Sequence, residues 1–224
     1  MQNSDLLQKN IKYKFNDKSY LQQALTHPSY ANEHHINKCY TNQRLEFLGD
    51  AVLELLSSDF LYREYDNADE GTLTKYRAGL VCEESLSNIA RQLKLYEYLL
   101  TGNGEDSKKL KDNNSIMCDT LEALIGAIYI DGGMENASYF VKDFILNDDN
   151  LTHKNFDYKT IIQELANKNR LKIFYELVDE YGPDHNKTFV ICAHYGERVL
   201  TKGIGKSKKE AEQNAARAAL DIIK

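Results

Sequence analysis

Four acidic residues carry the first chemical signal. Glu46 and Asp50 are four apart in QRLEFLGDAVLELLS, and Asp119 and Glu122 are three apart in SIMCDTLEALIGAIYI. At 3.6 residues per turn, each spacing puts its pair on one side of a helix. Phe47, Leu48, Val52, Leu53, Leu55 and Leu56 surround the first pair. Ile116, Met117, Leu121, Leu124, Ile125 and Ile128 surround the second, with Ala123, Gly126, Ala127 and Ile130 sharing its face. A helix that is apolar nearly all round is expected to be interior, and a buried carboxylate needs a partner charge or a cation. Arg44 is the one basic residue inside either run. Two readings follow: structural ion pairing, or a divalent cation held by hard oxygens, which favours Mg²⁺ or Mn²⁺. Such a cation can activate water for in-line attack on a phosphodiester. A carboxylate-bridged di-iron bundle wants Glu-x-x-His on its helices, and neither run has it.

The elements that must position these acids are helical. Asn16 and Asp17 cap a short helix that runs to Leu25 and ends before Pro28. A long helix is predicted from about Gln43 to Arg63. Another runs from Gly71–Thr72 toward Lys94 with a break at Val81–Cys82. Thr101–Gly104 is a loop. A helix over Ser115–Ile130 stops at Asp131-Gly132-Gly133 and is followed by one over Glu135–Leu146. The polar, aperiodic NDDNLTHKN stretch marks a linker at 148–156, after a first domain at 1–147.

Residues 157–224 read differently. The order is helix (Tyr158–Asn169), three strands (Tyr175–Tyr181, Thr188–His194, Val199–Gly203), then an Ala-rich helix (Ser207–Ile223). The whole chain carries 28 Lys+Arg against 34 Asp+Glu, a net charge of −6 that by itself argues against a nucleic-acid binder. The distribution reverses that reading. From Asp157 onward the balance is +2, and Arg198–Lys209 holds five basic residues and no acid. Ser207 with Glu210 forms a capping box. Lys208 and Lys209 sit where the helix dipole disfavours cations, which makes sense if phosphate docks there; the alternative is two solvated lysines. His185 and Lys187 offer a second contact. No aromatics interleave with the basic residues, so recognition of duplex shape is expected.

Other classes are excluded. No apolar run reaches the roughly 18 residues of a membrane span. Met1–Phe15 has no apolar core of a secretory signal, so a cytoplasmic protein is expected. Cys39, Cys82, Cys118 and Cys192 form no CxxC pair and read as reduced thiols rather than a disulfide or zinc framework. The histidines at 27, 34, 35, 153 and 194 are expected to be surface or locally bonded.

NQRLEFLGDA (Asn42–Ala51) and NNSIMCDTLEALIGAIYIDGG resemble the two catalytic segments of the bacterial ribonuclease III family. TIIQELANK, YGPDHNKTF and GIGKSKKEAEQNAARAAL resemble a double-stranded-RNA-binding domain. The resemblance covers nearly the whole chain. It implies an all-α endonuclease domain joined to a small α+β domain of α-β-β-β-α order. It also implies a Mg²⁺-dependent homodimer that hydrolyses double-stranded RNA to 5′-phosphate and 3′-hydroxyl ends, in rRNA and other RNA processing. Its metal ligands fall on Glu46, Asp50, Asp119 and Glu122, with Asp50 and Glu122 catalytic. Phe47 becomes a dimer-interface residue, with an ordinary core role as the alternative. Glu70 becomes an accessory acid or simply a helix N-terminal acid. RNA contacts fall on Thr160, Gln163, Glu164, His185, Lys187, Ser207, Lys208 and Lys209. Tyr175, Leu177, Phe189, Ala211, Ala215 and Ala219 are expected to be core. Two positions depart from the family pattern: Gln43 replaces a usual Glu, and Ala51 a frequent Ser. An amide cannot neutralise a cation, so Gln43 has no expected ionic role. The rival class is an RNA-binding protein that keeps this fold without the chemistry, and the intact acids weigh against it.

Overall fold

Capping side chains and glycines divide the N-terminal half into helices. Asp17 accepts from the backbone of Ser19 (2.8 Å) and starts α2 (Lys18–Ala24). Asp69 accepts from Thr72 (3.0 Å) and starts α5 (Glu70–Leu80). Asn113 accepts from Ile116 (3.2 Å) and starts α8 (Asn114–Phe144). These bonds satisfy amides that the first helical turn leaves unpaired. The computed structural model describes residues 4–66, 68–103, 107–147, 158–168, 172–183, 186–196 and 198–223. The chain forms two units, Met1–His153 and Lys154–Lys224.

In the first unit, α1 (Ser4–Asn10), α2, α3 (Pro28–Glu33), α4 (Gln43–Glu64), α5, α6 (Glu83–Gln92) and α7 (Ser107–Asp112) precede α8. Pro28 does not merely end a segment. It occupies the first turn of α3, where its missing N–H costs nothing, and His27 caps that helix. The break expected at Val81–Cys82 separates α5 from α6. Gly133 interrupts α8 with a φ of 77°, a conformation glycine adopts without penalty. Beside it, the Asp131 carboxylate accepts from Tyr13 Oη (2.6 Å) and from the Asn16 and Asp17 amides (both 2.8 Å), tying the N-terminal segment to α8.

α4 and α8 pack together more extensively than any other helix pair of this unit, around buried Leu45, Val52, Leu53, Leu121, Leu124, Ile125 and Ile128. Their backbones touch where two glycines meet. A Cβ on Gly49 would collide with the Glu122 carbonyl, and one on Gly126 with the Leu45 carbonyl.

The expectation of a fully interior α4 is corrected. Phe47 (81% exposed), Leu55 and Tyr62 lie on its surface. The sequence shows an apolar circumference, but only one side of it packs on the chain's own core.

The second unit has the order α9 (Tyr158–Lys168), β1 (Ile173–Tyr181), β2 (Thr188–Tyr195), β3 (Arg198–Gly205), α10 (Lys208–Ile223). The sheet is antiparallel in the order β1-β2-β3. Ile162, Ala166, Ile191, Ala193, Ala211, Ala215 and Ala219 fill the layer between helices and sheet. Gly203 allows β3 to lie directly on the Ala211–Ala215 backbone. Leu177, expected in this core, is exposed although it pairs in register with buried Ile191; a bulge follows it before Asp179. No helix among the described residues is long and apolar enough to cross a membrane.

The helix crossing makes a prediction. Gly126→Ala should cost about 1–3 kcal/mol in urea unfolding, because neither backbone can yield easily. Gly71→Ala, whose new Cβ would meet nothing nearer than 3.9 Å, should be neutral or slightly stabilising.

Candidate active site

Because α4 and α8 meet at Gly49 and Gly126, the acids beside that crossing come close enough to repel one another. Glu46 and Asp50 flank Gly49 on α4, and Asp119 and Glu122 precede Gly126 on α8. Glu46, Asp119 and Glu122 are half-buried, and Asp50 is exposed. The acids therefore line a solvent-accessible face rather than a sealed interior, which moderates the burial expected from sequence.

They act on one another electrostatically. Burial, then the charges of Asp119 and Asp50, hold the Glu46 carboxyl above the usual carboxylate range. Asp119 is raised by burial and by Glu83, while His27 and the Ser115 hydroxyl work in the opposite sense. Glu122 is pushed up to about 7. Burial is the main cause, a hydrogen bond from Cys118 opposes it, and Asp50, Asp119 and Glu46 add repulsion. All four acids thus share one field. Arg44 is exposed and pairs with none of them among the described residues, so the ion-pair reading loses its cation.

The tightest donor group is not the one expected. One ligand atom each from Cys118, Asp119 and Glu122 lie within 4.8 Å of one another. Cys118 Sγ donates to Glu122 Oε1 at 3.5 Å. Glu46 and Asp50 join through longer-range repulsion rather than through that compact trio. Sequence reasoning missed Cys118, Glu83 and His27. Cys118 was legible as the residue four before Glu122, on its own face. Glu83 and His27 arrive from other elements, so nothing local marks them. His27 is also locally bonded as expected, with Nδ1 2.7 Å from Ser29 Oγ.

Glu70 starts α5, is exposed and accepts from Thr74 Oγ1 (3.2 Å). Nothing among the described residues joins it to the four acids. Gln43 is exposed at the first position of α4.

On the second unit, Lys208 and Lys209 are exposed at the start of α10, as is Ser207 just before it. Ser207 Oγ accepts from the Glu210 amide (3.1 Å), and Glu210 Oε2 accepts from the Lys206 amide (2.8 Å). The capping box thus closes one residue earlier than the standard form. Lys208 Nζ lies 5.9 Å from the Phe189 ring centroid, which steadies it above the sheet. Lys206 Nζ donates to Thr188 Oγ1 (3.2 Å). Lys187 pairs with Glu180 (3.5 Å). Thr160 is exposed on α9, and Gln163 Nε2 donates to Asn167 Oδ1 (3.1 Å). Glu164 lies on α9, but its side chain, like His185 and the 148–156 linker, falls outside the described residues.

Comparison with known proteins agrees with this two-part architecture. A family described as Ribonuclease-III-like matches residues 17–149, and the Double-stranded RNA binding motif matches residues 158–223. The first match falls on the α-helical unit that carries the paired acids, and the second on the α-β-β-β-α unit. The chain belongs to the ribonuclease III family. It is 46% identical to Ribonuclease 3 of Caldanaerobacter subterraneus subsp. tengcongensis, over 97% of this chain and 96% of that one. It is 48% identical to Ribonuclease 3 of Natranaerobius thermophilus, over 92% and 91% of the two chains. The crystal structure of the nuclease domain of ribonuclease III from Campylobacter jejuni is similar, with 41% identity and a TM-score of 0.59, covering 65% of this chain and 95% of that one.

The raised Glu122 pKa gives a stability prediction. A carboxyl with a folded pKa above its ordinary 4.5 binds more protons when folded. Its contribution is complete below about pH 4.5 and is lost as pH rises through about 7. In protein freed of metal by chelation, Glu122→Gln should therefore melt a few degrees above the parent at pH 8. The two melting temperatures should converge near pH 4.5.

Proposed function

We propose that the chain is a Mg²⁺-dependent endoribonuclease specific for double-stranded RNA. It hydrolyses phosphodiesters to 5′-phosphate and 3′-hydroxyl ends, and acts in the cytoplasm in rRNA and other RNA processing. The observation that carries the reading is the electrostatic conflict of Glu46, Asp50, Asp119 and Glu122, which no Lys or Arg among the described residues relieves and which His27 eases only at Asp119. Hard carboxylate oxygens on two helices suit Mg²⁺, with Mn²⁺ as a substitute. A cation bound there supplies water activation and neutralises charge on the phosphate.

The four acids would hold that cation. Asp50 and Glu122, the catalytic pair, orient an attacking water toward the phosphorus, with the 3′ oxygen as the leaving group. The half-buried setting of Glu122 limits the water that competes for its oxygens. Glu70 would serve as an accessory acid.

Residues 1–147 would form the nuclease domain, 148–156 a linker and 157–224 the RNA-binding domain. Thr160, Gln163 and Glu164 on α9, His185 and Lys187 between β1 and β2, and Ser207, Lys208 and Lys209 at α10 would contact the duplex. Lysines at a helix N-terminus, where the dipole is positive, suit phosphate. No aromatic residue interrupts Arg198–Lys209, so duplex shape is what these residues read.

A homodimer accounts for the exposed apolar stripe of α4. Phe47, Ala51 and Leu55 recur every four residues, and Tyr62 continues the stripe. Large exposed apolar residues in register mark interaction surfaces. A second solved structure of the Campylobacter jejuni nuclease domain, 41% identical with a TM-score of 0.57 over 62% of this chain and 93% of that one, is described as showing flexibility in the region involved in dimer formation. Phe47→Ala should weaken self-association at least about tenfold in sedimentation equilibrium, the loss expected of a central aromatic anchor.

Glu122→Gln tests the chemistry. Cleavage of a labelled perfect duplex in Mg²⁺ should collapse while duplex binding persists; undiminished cleavage removes Glu122 from the mechanism. The paired change Lys208→Ala with Lys209→Ala should lower the salt slope of duplex binding by about two. An unchanged slope means these lysines do not touch phosphate.

A further inference from the structure

Magnesium chemistry has no use for a sulfur ligand, yet a thiol stands inside the acid group. Cys118 is buried (7% exposed), and its Sγ faces Glu122 Oε1 at 3.5 Å rather than apolar atoms alone. Its sulfur and one oxygen each from Asp119 and Glu122 lie within 4.8 Å of one another. Among the described residues, no other three His, Cys, Asp or Glu side chains come together this closely. The other thiols lack this setting. Cys39 is exposed, Cys82 bonds to Gly79 O and Ser85 Oγ, and Cys192 is buried in β2.

Ligand softness decides what such a trio binds. Thiolate with carboxylate suits Zn²⁺ and its softer relative Cd²⁺, whereas Mg²⁺ takes oxygen alone. Bonds of about 2.0–2.3 Å place the donors of one tetrahedral zinc ion roughly 3.3–3.8 Å apart. The trio, already within 4.8 Å, needs a contraction of about 1 Å to close on one ion.

We propose that Cys118, Asp119 and Glu122 form a soft-metal site that overlaps the magnesium site, so that a thiophilic divalent ion occupies two of the catalytic oxygens and inhibits the enzyme. On binding, the Sγ–H bond breaks, its proton passes to the buffer and a sulfur–metal bond forms, with no change of oxidation state. The inference rests on the magnesium-nuclease reading above, because inhibition requires that Asp119 and Glu122 serve Mg²⁺.

The test uses the full-length, metal-free protein and Cd²⁺ alone as probe. Titration should raise the ultraviolet thiolate-to-cadmium charge-transfer band. Cys118→Ser and, independently, Cys118→Ala should remove the part of that band that excess Mg²⁺ suppresses. In duplex cleavage at fixed Mg²⁺, with each protein scaled to its own rate without Cd²⁺, both variants should need at least about tenfold more Cd²⁺ for half-inhibition. Bands of equal size in parent and variants, or a band indifferent to Mg²⁺, overturn the site, as does equal cadmium sensitivity. A parent protein that cuts no duplex in Mg²⁺ alone defeats the nuclease reading instead, and the absorbance difference still decides whether Cys118 binds the soft ion.

Discussion

The close crossing of α4 and α8 governs the first unit. At Gly49 and Gly126 the two backbones touch where any side chain would collide. That contact brings the acid pair that flanks Gly49 and the acid pair that precedes Gly126 into a common field. Leu45, Val52, Leu53, Leu121, Leu124, Ile125 and Ile128 pack the helices together and offset the repulsion. Without a cation the acids oppose the fold that positions them. A divalent ion held there, as proposed, would relieve this conflict and would link binding to stability through the same four side chains.

The second unit follows the same rule of small residues at a close approach. Gly203 and the alanine face of α10 bring the last helix onto the sheet. Glu210 and Ser207 then fix its first turn, and Phe189 lies beneath Lys208. The result is a basic corner with exposed lysines at a helix N-terminus, suited to a phosphate backbone.

Much of this was legible in the sequence because it is periodic or punctuated. The acid pairs, the 22-residue α4, the break at Asp131-Gly132-Gly133 and the order of the last five elements all follow from local spacing. What was not legible depends on distant contacts. An apolar circumference does not say which side meets the chain's own core, so the 81% exposure of Phe47 emerges only in three dimensions. Pro28 reads equally well as a stop or as a first turn, and His27 decides the matter by capping α3. Glu83 and His27 reach Asp119 from α6 and the α2–α3 junction, far away in sequence. Cys118 reads as a reduced thiol because it has no CxxC partner, although it stands four residues before Glu122.

The central claim is that the glycine crossing assembles one cation site from two helices. Anomalous diffraction from crystals grown with Mn²⁺ tests it most directly. The account predicts a single strong peak per chain, bonded to carboxylate oxygens of both α4 and α8. A peak ligated by residues of one helix only, or manganese bound elsewhere with these carboxylates pointing apart into solvent, would contradict it.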